Sequence, residues 1–187
     1  MRPATMPDPY VLKSKICLVG EKAVGKTSLI RRYVLDEFSD DYVRTLGAKV
    51  SKKAMRVTVP ERKANVDITM AIWDVMGHVG FRQLLGDSFF EGAQGILAVA
   101  DLTRRDTLLV LPAWVEAVQG ISGVVPVLLV GNKADLTEEA QVGAAEIAQM
   151  ASVLRCGSVL TSAKTGQNVE DTFLRLGTLV AKERVHG

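Results

Sequence analysis

Two cysteines, Cys17 and Cys156, are all that the 187 residues contain. That excludes a disulfide-built scaffold and fits a protein that keeps its thiols reduced in the cytoplasm. No apolar run approaches the roughly 18 residues that cross a bilayer, and Met1-Arg2-Pro3-Ala4 has no secretory stretch behind it, so a soluble chain is expected. Lipid acceptors are missing as well. Arg2 stands where myristoylation needs glycine, and Glu183-Arg184-Val185-His186-Gly187 has no cysteine to prenylate, so no direct lipid anchor is expected. Nor is there charge of one sign. The 23 Lys and Arg against 21 Asp and Glu leave a formal +2, which argues against a general pull toward nucleic acid and makes any anion site local.

What is present is a hydrophobic content of 48%, enough to fill the core of one domain. Pro3, Pro7 and Pro9 remove backbone donors and fix φ, so residues 1–12 read as an extended tail and 13–187 as the domain. Short apolar runs then alternate with amphipathic stretches: 16–19 before 28–35, 95–100 before 107–118, 125–130 before 138–153. That alternation specifies βαβ units and a parallel sheet. Two β-rich pieces, 49–59 and 66–74, flank the polar Pro60-Glu61-Arg62-Lys63-Ala64-Asn65 and read as a hairpin that adds one antiparallel strand. With a strand at 158–161 and a closing helix at 168–182, the expected fold is α/β: a six-stranded, mostly parallel sheet with about five helices on both faces.

Gly20-Glu21-Lys22-Ala23-Val24-Gly25-Lys26-Thr27 fits the phosphate-loop pattern G-x-x-x-x-G-K-[ST], directly after an apolar strand and before a helix that opens at Ser28. Glycines let backbone N–H groups converge on phosphates, and the helix N-terminus adds its dipole. Lys26 would reach the β and γ phosphates and Thr27 would offer a hydroxyl to Mg²⁺. A glycine-bearing βα turn that binds nothing is the plain alternative, and the full motif in this context outweighs it.

The base must be read elsewhere. The apolar run at 127–130 ends in Gly131-Asn132-Lys133-Ala134-Asp135, at the carboxyl edge where open α/β sheets bind ligands. A carboxylate such as Asp135 can accept from both N1–H and the exocyclic amine of guanine, a pair adenine lacks, so guanine is favoured. Thr161-Ser162-Ala163-Lys164 ends another strand on the same edge and could support the base through backbone N–H and the Lys164 stem.

With these segments in this order, the chain resembles the Ras superfamily of small GTPases, and the Rab-like branch most closely, from about Lys13 to Lys182. Ile72-Trp73-Asp74-Val75-Met76-Gly77-His78-Val79-Gly80-Phe81-Arg82 looks like the Rab pattern W-D-T-A-G-Q-E-x-F-R, and Phe89-Phe90-Glu91-Gly92-Ala93 looks like its later aromatic pair. The resemblance implies a P-loop NTPase fold and a Mg-GTP switch with slow hydrolysis to GDP. It also implies that Asp74 holds Mg²⁺ through a water, that Gly77 offers its N–H to the γ phosphate, and that Thr45 completes the metal shell. Phe38 would cover the base, and Tyr42, Lys133 and Ala163 join the nucleotide contacts.

Four departures stand out. His78 occupies the place of the water-orienting glutamine; a neutral imidazole can accept from or donate to water, so a catalytic His78 beside Lys26, Gly77 and Thr45 is expected. Lys22 fills a position that is often small in the family. Val75-Met76 replaces Thr-Ala, and Arg44 beside Thr45 reads as a solvated loop arginine more readily than as an arginine finger in cis. Effector, activator or exchange proteins would meet a switch surface including Leu46, Val50, Trp73 and Phe90. The competing readings are a hydrolysis-deficient guanine-nucleotide scaffold and an ATP-using kinase or ATPase, the second disfavoured by Asp135.

Overall fold

The computed structural model describes residues 10–41, 47–75, 77 and 87–185. Six strands form one sheet: β1 (Tyr10–Val19), β2 (Ala48–Val59), β3 (Ala64–Val75), β4 (Gly95–Asp101), β5 (Val127–Asn132) and β6 (Gly157–Leu160). Their spatial order is β2-β3-β1-β4-β5-β6, with β2 antiparallel to β3 and every other pair parallel. The helices among the described residues are α1 (Lys26–Leu35), α2 (Arg105–Leu109), α3 (Leu111–Ser122), α4 (Ala144–Val153) and α5 (Val169–Val185).

The parallel centre explains the continuous apolar runs. In β1, Ile16 and Leu18 enter one core with α1 and α5, whereas Cys17 and Val19 enter a second core with α3 and α4. All seven residues of β4 and all six of β5 are buried, because helices cover both faces. The α1–α5 side includes a stacked pair, Tyr33 on Phe173, with centroids 4.0 Å apart. The hairpin β2–β3 closes through a 3-10 turn at Pro60–Arg62, and Lys63 takes φ 49°. Among the described residues, no helix is long and apolar enough to cross a membrane.

Three boundaries differ from the sequence reading. Strand β1 starts at Tyr10, pairing Tyr10 with Val66, so residues 10–12 belong to the sheet rather than to a tail. Tyr10 and Val11 are exposed, so two-sided burial leaves no mark on that end. The stretch 107–118 is two helices that meet at Val110, because Pro112 has no N–H to give and its ring crowds the preceding turn. The stretch expected as a helix from 138 begins only at Ala144. Residues Thr137–Glu139 form a separate 3-10 turn, and Glu146 Oε2 accepts from the Gly143 N–H at 3.0 Å, capping α4 there.

Candidate functional site

The carboxyl ends of β1, β3 and β5 and the loop after β6 open onto one cavity of about 380 Å³. The phosphate-loop segment forms its floor. Gly25 precedes α1 with φ 101°, and a Cβ there would lie 2.2 Å from Asn132 Nδ2, so only glycine fits between the loop and β5. Lys26 is 6% exposed and donates from Nζ to Gly20 O at 2.7 Å and Glu21 O at 2.8 Å. Burial pushes its ammonium down to about 8, against the carboxylates of Asp74 and Glu21, which favour the charge; Arg104 disfavours it. Ala23, Lys22, Thr27 and Ser28 also line the cavity, while Gly20 and Val24 are buried behind it and Glu21 lies outside its lining.

Asp74 is 3% exposed near the end of β3, and its Oδ2 accepts from Thr27 Oγ1. Gly77 is buried against the loop: a Cβ at this position would stand 2.5 Å from the Glu21 carbonyl carbon and 2.6 Å from the oxygens of Gly20 and Glu21. Backbone cannot rotate out of the way, so this approach needs glycine.

Asn132, 1% exposed, joins three segments. Its Nδ2 donates to Val24 O at 2.9 Å, and its Oδ1 accepts from Thr161 Oγ1 at 3.0 Å and from the Ala163 N–H at 3.3 Å. Asp135 lines the cavity, and its Oδ1 accepts from Ser162 Oγ at 2.6 Å; Ser162 itself is fully buried and outside the lining. Phe38 lines the cavity while packing against the α1–α5 core. Lys164 and Ala163 line the cavity as well, with Lys164 Nζ 3.4 Å from Asp40.

Several supporting residues were invisible to motif reading. Arg32 of α1 donates to Ala163 O at 2.9 Å and Lys164 O at 2.7 Å, holding the loop after β6. Asp101, 1% exposed, accepts from Lys133 Nζ at 2.6 Å, Arg104 Nε at 3.1 Å, Thr103 Oγ1 at 2.7 Å and the Thr103 N–H at 2.9 Å. Desolvation opposes its ionisation, yet Lys133 and the two Thr103 donors hold its carboxyl below the ordinary carboxylate value. Arg104 also donates to Lys22 O at 2.8 Å. Its strand-end Asp was the available signal, but nothing in the sequence says which cations fold onto it.

A family model described as the Ras family matches residues 15–182. The chain belongs to the Ras family. The Ras-related protein RABA4b of Arabidopsis thaliana is 30% identical over 167 residues, covering 89% of this chain and 71% of that protein. As a class, Ras-family proteins are small GTP-binding switches that use GTP, GDP and Mg²⁺. The donor set beside Lys26 suits such a metal: the Thr27 hydroxyl and Asp74 carboxylate are hard oxygens brought together at the cavity wall.

The expected roles of Tyr42, Arg44, Thr45, Leu46, Met76 and His78 fall outside the described residues. On the surface expected to meet partners, Val50 is 44% exposed and pairs across the hairpin with Trp73. Phe90 does not join them: it is 4% exposed and packs in the α3–α4 core. Its neighbour Phe89 is the half-buried one, edge-on to Trp73 at 6.2 Å, and Lys15 Nζ stands 4.1 Å from the Trp73 ring. Two adjacent aromatics look alike in sequence; the 3-10 turn at Asp87–Phe89 decides which one turns inward.

Proposed function

We infer that this Ras-family protein is a regulatory switch that binds GTP at the described cavity, with Mg²⁺, and hydrolyses it slowly to GDP and phosphate. One observation carries the reading: Asn132 ties the phosphate loop to both guanine-reading segments, so a single cavity offers a phosphate cradle and the Asp135 carboxylate together. The base would bind between Phe38 and the Lys164 stem, with Asp135 accepting from its N1–H and amine edge. Backbone N–H groups of residues 20–28 and the Lys26 ammonium would hold the phosphates. Thr27, Asp74 through a water, and Thr45 would hold the metal, which when bound supplies positive charge to the β and γ phosphate oxygens. Gly77 would offer its N–H to the terminal phosphate, and His78 would orient the attacking water.

Loops around Thr45 and Gly77 would order on the terminal phosphate, partners would read that form, and hydrolysis would release it. The partner class is effector, activator and exchange proteins at the surface around Val50, Trp73 and Phe89, in a cytoplasmic setting.

The test is single-turnover GTP hydrolysis on the wild type and on His78→Ala, with bound nucleotide measured before and after. Slower turnover in the variant at unchanged GTP affinity is expected. Stable GTP binding with no turnover in either protein would instead favour a nucleotide-holding scaffold. Displacement of labelled GDP by an equal concentration of ATP would remove the guanine assignment.

A further inference from the structure

The cavity's cations are nearly all committed to groups of the protein itself. Lys26 is bound to the Gly20 and Glu21 carbonyls, Lys133 to Asp101, Lys164 to Asp40 and Arg31 to Glu37 at 3.2 Å. Lys22 differs: it lines the cavity and is exposed, and its ammonium has no partner among the described residues. Its main chain, by contrast, is held firmly. Arg104 donates to the Lys22 carbonyl at 2.8 Å, and the same guanidinium is anchored through Nε on the buried Asp101. The residue follows directly on the Glu21 carbonyl against which Gly77 packs, within the phosphate-loop segment of the cavity.

A fixed backbone carrying an uncommitted cation there is what an added anionic charge would meet. We propose that Lys22 is a specificity residue for the triphosphate, its ammonium pairing with the terminal phosphate, and that Arg104 is the positioning residue that aims it. This rests on the nucleotide reading above. The terminal phosphate brings the charge that distinguishes triphosphate from diphosphate, so Lys22 should bias the site toward the triphosphate while contributing little to diphosphate binding. Screening by salt should weaken that bias, because the lysine is exposed.

The experiment measures affinities for Mg-GDP and a non-hydrolysable Mg-GTP analogue in the wild type, Lys22→Met, Lys22→Arg, Arg104→Met and the Lys22→Met/Arg104→Met pair. Lys22→Met keeps the length of the side chain on an exposed position, so folding is not at stake. The expected result is a GTP-analogue-to-GDP preference that falls about three- to tenfold in Lys22→Met, carried by weaker binding of the GTP analogue, with the preference retained in Lys22→Arg. Raising salt should erode the preference in the wild type more than in Lys22→Met. Arg104→Met should lower the preference in the wild-type background and leave it unchanged in the Lys22→Met background, a coupling that mere loosening of the fold would not give. Equal preference in wild type and Lys22→Met, with both nucleotides still bound, would overturn the role of Lys22 alone. Failure of the wild type to bind either nucleotide would overturn this role and the nucleotide reading together.

Discussion

Replacing Asn132 with alanine should destabilise the protein even with no nucleotide present. The side chain makes three hydrogen bonds, and each partner is buried: Val24 and Thr161 at 0% exposure and Ala163 at 3%. The Thr161 hydroxyl can rotate toward another acceptor, but the Val24 carbonyl and the Ala163 N–H are fixed by the backbone. Each orphaned buried group costs about 1–3 kcal/mol. A water entering the vacated space would recover part of that, leaving a net loss of about 2–4 kcal/mol. Against the total of about 5–15 kcal/mol typical of a domain, this is large. Urea unfolding in EDTA, followed by the fluorescence of Trp73 and Trp114, should show a midpoint lower by about 1–2 M, taking a slope of about 2 kcal/mol/M. Asp135→Ala is the contrast. It removes the carboxylate expected to read the base, with only the Ser162 bond lost, so its nucleotide-free stability should fall by about 1 kcal/mol while GDP affinity collapses. A midpoint shift below about 0.3 M for Asn132→Ala would refute the view that this amide holds the site's segments together.

Other perturbations follow from the same geometry. Gly77→Ala puts a Cβ 2.5 Å from the Glu21 carbonyl carbon, so the nucleotide-free protein should lose about 1–3 kcal/mol; an unchanged melting temperature would show that the approach is not maintained. Arg32→Met keeps the stem on α1 but abandons the carbonyls of Ala163 and Lys164, so fluorescent GDP should dissociate several-fold faster; an unchanged off-rate would reject that support. Burial pushes the Cys17 thiol up to about 11 from an ordinary 9.0, with Lys15 acting weakly in the other direction. The unfolded chain therefore loses its proton first, so stability is full below about pH 9 and falls as pH rises toward 11, by up to about 2–3 kcal/mol. Unfolding midpoints at pH 8 and 10.5 should diverge more in the wild type than in Cys17→Ala, and equal divergence would count against a buried neutral thiol.

The sheet was legible because its central strands are apolar on both faces, and residues 95–100 and 127–130 are short, apolar and bounded by turn residues, as buried strands are. The half-exposed ends were not legible. Tyr10 and Val11 face solvent, so only pairing with β3 makes them strand, and the break at Val110 follows from Pro112 inside an otherwise unbroken helical pattern. For the site, spacing identified the phosphate loop and the Asn132–Asp135 segment, because those roles belong to backbone and side chains contiguous in sequence. The supports escaped notice because their partners lie far along the chain. Arg32 reaches Ala163 across 131 positions, and Arg104 reaches Lys22 across 82. A guanidinium's usefulness depends on which carbonyl the fold delivers to it, and no local pattern encodes that.

Those supports converge on two neighbouring strand ends. In the register of β4 and β5, Asp101 lies opposite Asn132, and both side chains are 1% exposed. Asn132, which can donate and accept, joins the phosphate loop to the loop after β6; Asp101, which only accepts, gathers Lys133 from one side and Arg104 from the other. The division follows from chemistry: an amide can bridge a carbonyl and an N–H, whereas a buried carboxylate is stable only when cations and N–H groups surround it. Through Arg104 the carboxylate also reaches the Lys22 carbonyl, so the middle of the phosphate loop is held at two points, Lys22 and Val24, from the same sheet edge. The loop's shape is therefore set largely by the protein's own hydrogen bonds, so ordering the cradle takes little from the free energy of phosphate binding.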